Sequence, residues 1–412
     1  MDGIYIVGIG MTRFGRHLEC SLDHLANEAI QLAVKDAGCA INDLGIAYYT
    51  GITNHLQDQT SIPGQVVLSK CGVQGIPIVN VEGACASGTI GLNMAIQSLL
   101  AGSYDTALVL ASEKMHIPDK ARAFKVFDGG WDVANSEENA KVLTKLSEGF
   151  VAPEGSESDR PYSLFMKIYA AMCIDHIQRY GTSQRQIAAV ASKNHNHSVH
   201  NPLAQFNQAM SIEEVLAAPP ITFPLTLPMC APLSDGAAAI IVCNEYGLKR
   251  IGADKRRTIA VKASVIGGYT LREWDDFENH CETLASKKAY DIAGLGPEDI
   301  NVAEVHDASA AGEIFHVENL KFVPRGEGGP AAERGEFSLG GRLPVNTSGG
   351  LVSKGHPIGA TGLGQLHELV TQLRGEAGAR QVEGARIALQ ENSGGLIGVE
   401  EAAVGITILS QN

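Results

Sequence analysis

No Cys-x-x-Cys pair occurs in the chain, although it carries eight cysteines. Thiols scattered in this way lack the spacing of a structural zinc site, so no metal is expected. The start of the sequence, Gly3-Ile4-Tyr5-Ile6-Val7-Gly8, is a strand-like run, with no basic stretch followed by a long apolar one. That is not the pattern of a secretory leader, so reduced thiols and a cytoplasmic setting are expected. No stretch approaches the ~18 uninterrupted apolar residues that a membrane helix needs. An excess of positive charge is missing too. Lys and Arg total 32 against 46 Asp and Glu, a net charge of −14. Nucleic acid and anionic membranes are therefore poor main partners.

What the chain does have is length, apolar content and glycine. Its 412 residues are too many for one ordinary core, and 44% hydrophobic residues suffice for two or three. The 46 glycines point to many tight turns and close backbone approaches.

The sequence also repeats weakly. Ala33-Val34-Lys35-Asp36-Ala37-Gly38 matches Ala289-Tyr290-Asp291-Ile292-Ala293-Gly294, each the end of an amphipathic helix with a closing Gly. Asp43-Leu44 and Asp299-Ile300 follow, then the strand-like runs Ile46 to Tyr49 and Val302 to Val305, all at one offset of 256. Further on, Val79-Asn80 has a counterpart in Val345-Asn346, and Gly91 to Gly102 resembles Gly364 to Gly375. The halves close on Ala237 to Val242 and Val404 to Leu409.

Apolar strand runs alternating with helical patterns imply an α/β fold with a mostly parallel sheet covered by helices. Two such units in tandem predict a duplicated five-layer α/β/α/β/α sandwich with pseudo-twofold symmetry. The first unit takes residues 1–114 and 224–256, and the second takes 257–412. Residues 115–223 break the pattern and are read as an inserted loop region that caps the site, with a helical segment from Ser163 to Tyr180.

Chemistry concentrates in loops at strand ends. Cys85 lies in Gly83-Ala84-Cys85-Ala86-Ser87-Gly88, between an apolar run and an amphipathic stretch. A thiol at a helix start meets unpaired N–H groups that favour the thiolate, the nucleophilic form. A small cysteine packing at a turn is the alternative reading. His306 stands in Val305-His306-Asp307-Ala308 at a strand end. His356 stands in Gly355-His356-Pro357-Ile358-Gly359, inside a Gly-rich loop that opens a helix. A fourth motif, Glu391-Asn392-Ser393-Gly394-Gly395, ends another strand.

With Lys193-Asn194-His195, Asn201-Pro202 and Ser234-Asp235-Gly236, these motifs resemble the thiolase superfamily, in its sterol-carrier-protein-type and archaeal-type members. They span most of the chain in the family's order. The resemblance implies a thiolase fold and the cleavage of a 3-oxoacyl-CoA, with coenzyme A as co-substrate and no metal in this chain. It implies that Cys85 is the nucleophile and that His356 takes its proton and lowers its pKa. His306 would donate hydrogen bonds to developing oxyanions. The coenzyme A site is expected near Gly355, Gly394, Gly395 and the insertion.

The resemblance also has a gap. Members usually carry a second cysteine that moves a proton on and off the α-carbon. Here Asn392 and Ala308 stand at its two usual places. Glu391, with Asn392 beside it, is a candidate auxiliary group, as are His306 and water. Relatives of this appearance often work with a small zinc-ribbon/OB-fold partner, and the family implies at least a homodimer. The thiolase subunit of benzoylsuccinyl-CoA thiolase shares the look, which suggests a bulky, branched or aromatic acyl group. The alternatives are a CoA-ester retro-aldolase and a non-catalytic acyl-CoA-binding scaffold.

Other residues read as structural. His195, His197 and His200 do not share one face for a metal. Ser234 and Asp235 precede a buried strand. Cys71, Cys173, Cys230 and Cys243 look like packing residues. Arg122, Lys125, Arg160 and Lys167 lie in the insertion, where coenzyme A phosphates or plain solvent would both suit them.

Overall fold

The computed structural model describes residues 3–119, 122–123 and 125–412; Met1 and Asp2, ahead of the first strand run, lie outside. The strands are β1 Ile4–Met11, β2 Ile46–Thr50, β3 Ile78–Val81, β4 Thr106–Glu113, β5 Pro220–Thr222, β6 Leu225–Thr226, β7 Gly236–Asn244, β8 Ile259–Gly268, β9 Val302–Glu304, β10 Ile387–Ile397 and β11 Glu400–Gln411. Nine of them form one sheet in the order β3-β2-β4-β7-β1-β8-β11-β10-β9. β5 and β6 form a separate hairpin.

That order is a duplication read outward from its middle. β3-β2-β4-β7-β1 on one side is repeated as β9-β10-β11-β8 on the other. The two copies join where Tyr5 and Ile6 of β1 pair with Ala260 and Ile259 of β8. The repeat of β3 is reduced to a single parallel bridge, Ala303 to Val345. The next residue, Asn346, turns out of the strand at φ 57°, which corrects the expected second strand there.

The sheet is also mixed rather than mostly parallel. β2 runs parallel to β3 and β4, and β9 parallel to β10. β4–β7, β7–β1, β10–β11 and β11–β8 are antiparallel. For β10 and β11 a short connection forces this. Only Gly398 and Val399 separate β10 from β11, and a parallel pair needs a crossover of a dozen residues or more.

Helix Leu22–Ala37 shows how the repeated helix ends work. Ser21 caps it by accepting the His24 N–H, and Gly38 closes it at φ 67°. Its buried stripe, Leu25, Ala26, Ala29, Ile30 and Ala33, packs on Val7, Ala239 and Ile241 of the first copy. Helix Cys281–Ala293 is its counterpart, ended by Gly294 at φ 65° and packed on β8 and β11.

Helices Ser87–Leu100 and Thr361–Leu373 fill the middle layer. Leu92, Ile96 and Leu99 of one share a core with Leu363, Leu366 and Val370 of the other. Strand residues of both copies, among them Ile6, Val109, Val261 and Ala388, line the same core. The resulting layers are outer helix, one half of the sheet, paired helices, the other half of the sheet and outer helix.

Within 115–223, two stretches behave differently. Helix Gln184–Ser198 buries Ile187, Val190 and Ala191 against Ile314, Val317 and Leu320 of the second copy. Helix Leu164–Tyr180, capped by Ser163, instead turns Phe165, Met166 and Tyr169 toward a cavity.

Asp235 ties the start of β7 to its surroundings. Its carboxylate accepts the N–H groups of His17, Met115 and His116 and the Lys114 ammonium at 2.7 Å. Burial alone pushes this carboxyl up, but the hydrogen bonds from His116 and Lys114 outweigh it and hold it at about 2. A depressed carboxyl stabilises the fold above its unfolded pKa of ~4, and the gain disappears as pH falls toward 2. Asp235→Ala leaves Lys114 buried without its partner. The unfolding free energy is expected to fall by about 3–5 kcal/mol in urea denaturation at pH 7.

Candidate active site

The two middle helices begin side by side, and the loops ahead of them carry the sulfur and the imidazole. Cys85 sits in a tight turn, Ala84–Ala86, directly before helix Ser87–Leu100. His356 precedes the turn Ile358–Ala360, which leads into helix Thr361–Leu373. Cys85 Sγ lies 3.4 Å from His356 Nε2. His306, at the end of β9, stands edge-on to His356 with ring centroids 5.2 Å apart. One donor atom from each of the three residues falls within 4.8 Å of the others.

The His356 ring is held from behind. Its Nδ1 meets the Thr361 hydroxyl at 2.6 Å, and that hydroxyl reaches the Pro357 carbonyl at 3.4 Å. With the hydroxyl donating to Pro357, Nδ1 carries the ring proton and Nε2 keeps a lone pair facing the thiol. The His356 backbone N–H donates to Ser234 Oγ at 2.9 Å. Thr361→Val removes the tautomer lock. It is expected to lower kcat about 10- to 100-fold with KM little changed, measured in steady-state kinetics.

The thiol is not poised as the sequence suggested. Burial pushes Cys85 up to about 12, and the nearby Glu113 carboxyl adds to the rise. Burial likewise pushes His356 down to about 3, with Lys354 adding to it. The resting pair is therefore a neutral thiol beside a neutral imidazole, not an ion pair. Desolvation outweighs the helix-terminal N–H groups here. Glu113 was missed in the sequence because nothing local marks it. It ends β4, accepts the Ile52 and Thr53 N–H groups at 2.8 Å, and takes the Gly359 N–H of the histidine loop at 2.8 Å.

His306 is buried, and neither ring nitrogen has a hydrogen-bond partner among the described residues. Burial and the neighbouring His356 hold it well below the ordinary histidine range, hence neutral. Two idle imidazole nitrogens beside a cavity offer a hydrogen bond to whatever enters.

That cavity, about 290 Å³, is walled by Cys85, His306, His356, Ala308, Ser393 and Gly394 on the side of the duplicated frame. The opposite wall is apolar and aromatic, with Phe127, Tyr162, Phe165, Met166 and Tyr169 from the stretch 115–223. Trp131 stacks behind Phe165 with ring centroids 5.0 Å apart. A second, more open groove of about 990 Å³ meets the chamber at Ile52, Ala84, Val126 and Gly129. Asn54, His55, Lys125 and Asp128 give that groove a polar lining.

The remaining expected residues divide cleanly. Gly394 and Gly395 line the chamber, whereas Gly355 is buried against Phe14, Gln205 and Ser234. Asn392 faces away, accepting the Thr89 hydroxyl at 3.0 Å. Glu391 lies just behind the wall and accepts the His306 N–H at 2.8 Å. Cys230, expected to be a packing residue, lines the chamber; its neighbour Ala231 donates its N–H to the Ala308 carbonyl. Lys193 and Asn194 are wired into Glu313 and Asp307. Arg122 pairs with Asp58 and the His55 carbonyl.

Two further clusters have metal-like spacing, His280–Cys281–Glu400 and Glu282–His316–Glu391. Their groups already bond within the protein: Glu400 to Arg272 and the Cys281 N–H, His316 to Glu282.

Residues 4–215 match the family described as thiolase, N-terminal domain, and residues 263–407 match the thiolase C-terminal domain-like family. An acetyl-CoA acetyltransferase from Methanothermobacter thermautotrophicus is 35% identical, over 98% of this chain and 99% of that one. Sterol carrier protein 2 from Bos taurus is 36% identical, over 95% of this chain and 70% of that one. The benzoylsuccinyl-CoA thiolase subunit BbsB of Thauera aromatica is 30% identical over 95% and 94%. Among solved structures, the Ltp2-ChsH2(DUF35) aldolase shares the fold with a TM-score of 0.76 at 21% identity, covering 99% of this chain and 98% of that one. The chain belongs to the thiolase family of acyl-CoA acyltransferases.

Proposed function

We propose that the chain cleaves a 3-oxoacyl-CoA with a bulky, branched or aromatic acyl group, using coenzyme A and a covalent acyl-Cys85 intermediate. The single observation that carries this reading is the 3.4 Å approach of Cys85 Sγ to the lone-pair nitrogen of His356 at the mouth of an aromatic-walled chamber. The thiol proton passes to His356 Nε2 as sulfur bonds to the 3-keto carbon. His306 donates to the oxygen that becomes negative. The C2–C3 bond then breaks, its electron pair forms a thioester enolate, and a proton at C2 completes the shortened acyl-CoA. Coenzyme A sulfur attacks acyl-Cys85, gives its proton to the site, and leaves as the new thioester.

Because both reacting groups rest uncharged, charge develops only along the reaction, where fixed donors meet it. The apolar wall supports a bulky acyl group, and the relative that acts in benzoylsuccinyl-CoA thiolysis is consistent with one. The polar groove containing Lys125 suits the coenzyme A chain, so residues 115–223 would act as a cap that brings cofactor and acyl group together. This chemistry needs no metal from the chain.

We place the protein in the cytoplasm, as a homodimer with a small zinc-ribbon/OB-fold partner. BbsB being a subunit, and the Ltp2-ChsH2(DUF35) aldolase being a two-component protein, support a partner. No helix among the described residues is long and apolar enough to cross a membrane.

Intact mass after incubation with 3-oxoacyl-CoA esters, with and without the partner, tests the reading. An acyl adduct mapping to Cys85 is expected. Cleavage without adduct or coenzyme A requirement would mean an aldolase, and no cleavage at all a binding scaffold.

A further inference from the structure

The site lacks a thiol at the two places where its family carries a second one, yet a thioester enolate must still gain or lose a proton at C2. Beside Cys85, the end of β10 is pressed onto the nucleophile turn. A Cβ on Gly394 would lie 2.9 Å from the Cys85 nitrogen and 2.3 Å from the Gly83 carbonyl oxygen. The residue before it, Ser393, lines the chamber and donates its hydroxyl to Glu391 Oε1 at 2.5 Å. Glu391 is fully buried and does not itself line the chamber; Ser393 Oγ and the His306 N–H connect it to lining residues.

We propose that Ser393 and Glu391 form the proton relay that stands in for the missing second cysteine. In the enolising direction the C2–H bond breaks. Its proton goes to Ser393 Oγ while the Ser393 proton passes to Glu391 Oε1, and the electron pair stays on the thioester enolate. Cleavage runs the same steps backwards: protonated Glu391 returns its proton through Ser393 to C2. The proton released by the coenzyme A thiol in the second half-reaction restores the carboxyl, so the net reaction balances. The assignment rests on the acyl-Cys85 reading above.

The surroundings of Glu391 suit this work. Burial pushes its carboxyl up to about 7. Of the groups around it, His316 lowers it and Glu282 raises it. Burial lowers His316, but Glu391 and Glu282 outweigh that and hold it well above the histidine range, so it is charged. His306 contributes its N–H, and Tyr169 and Glu401 line the chamber nearby with pKa values raised by burial. A carboxyl that exchanges its proton near neutrality serves in either direction.

The probe is acetyl-CoA in D2O, with methyl deuteration followed by mass spectrometry and Cys85 alkylation by iodoacetamide measured in parallel. The unmodified chain should exchange, at a rate rising with pH through about 7 because the carboxylate is the accepting form. Ser393→Ala and Glu391→Gln should each lose about 100-fold in exchange, with Cys85 alkylation within about threefold. Ser393→Thr should recover most of the rate, and Glu391→Gln should abolish the limb near pH 7. Exchange at the full rate in Ser393→Ala overturns the relay, as does exchange lost only in step with alkylation, or no exchange by the unmodified chain. Whether acyl-Cys85 forms from a 3-oxoacyl-CoA is read separately, so either idea can fail alone.

Discussion

Cys85→Ala should abolish the acyl adduct and reduce thiolysis by ~10^4-fold or more, because in the proposed mechanism the sulfur forms the bond on which both half-reactions depend. The substitution itself is mild. Cys85 is partly exposed to the chamber and, among the described residues, its thiol bonds only to His356, so the fold should hold. Unchanged urea unfolding beside the lost activity is the expected pair of results. A variant that keeps thiolysis would remove the covalent route. Since burial and Glu113 hold the thiol up at about 12, the wild-type thiol should also alkylate slowly at pH 7 when no substrate is bound.

The second large effect is expected at Gly394. A methyl group there would meet the Gly83 carbonyl oxygen at 2.3 Å and the Ala86 nitrogen at 2.5 Å. Both are backbone atoms of the turn that holds Cys85, and neither can swing aside as a side-chain tip would. Gly394→Ala must therefore displace either the end of β10 or the nucleophile turn. A shift of ~1 Å at a reacting atom costs about 100-fold in kcat/KM, and overpacking costs about 1–3 kcal/mol. Steady-state kinetics with a thermal melt would show both losses together. Wild-type kinetics in this variant would mean that the turn has slack which the close approach does not suggest.

Much of this arrangement was legible in the residues, for physical reasons that differ from element to element. The repeat showed because helix closure by Gly38 and Gly294 and the Asp43 and Asp299 turns are local chemistry, repeated at the same spacing. The meeting of Cys85 and His356 followed from the duplication, since each precedes the equivalent middle helix.

What stayed hidden depends on distant packing. Strand direction is not encoded in apolar runs: β10 turns straight back into β11, whereas β7 beside β1 and β4, and β11 beside β8, pair across long stretches of sequence. Val345 reads like Val79, but Asn346 turns the backbone and leaves one bridge. The rise of the thiol pKa comes first from burial and then from Glu113, 28 residues away in sequence and brought near by β4. Thr361, which meets the imidazole, and Ser234, which accepts the His356 backbone N–H, look like any helix-start and loop hydroxyls until His356 is placed beside them.

The frame of the chamber and its lining come from different stretches of chain. Cys85, His306 and His356 hang from the repeated strands and middle helices, while Phe127, Phe165, Met166 and Tyr169 belong to a segment outside the repeat. Under the proposed function, bond-making and shape-selection would therefore sit in separable stretches of chain. Drift among the ring-bearing positions would retune what enters while the sulfur–imidazole distance stays put. Such a chain acquires new substrates by re-upholstering one wall, and laboratory diversification confined to those few positions would sample acyl groups without rebuilding the reactive pair.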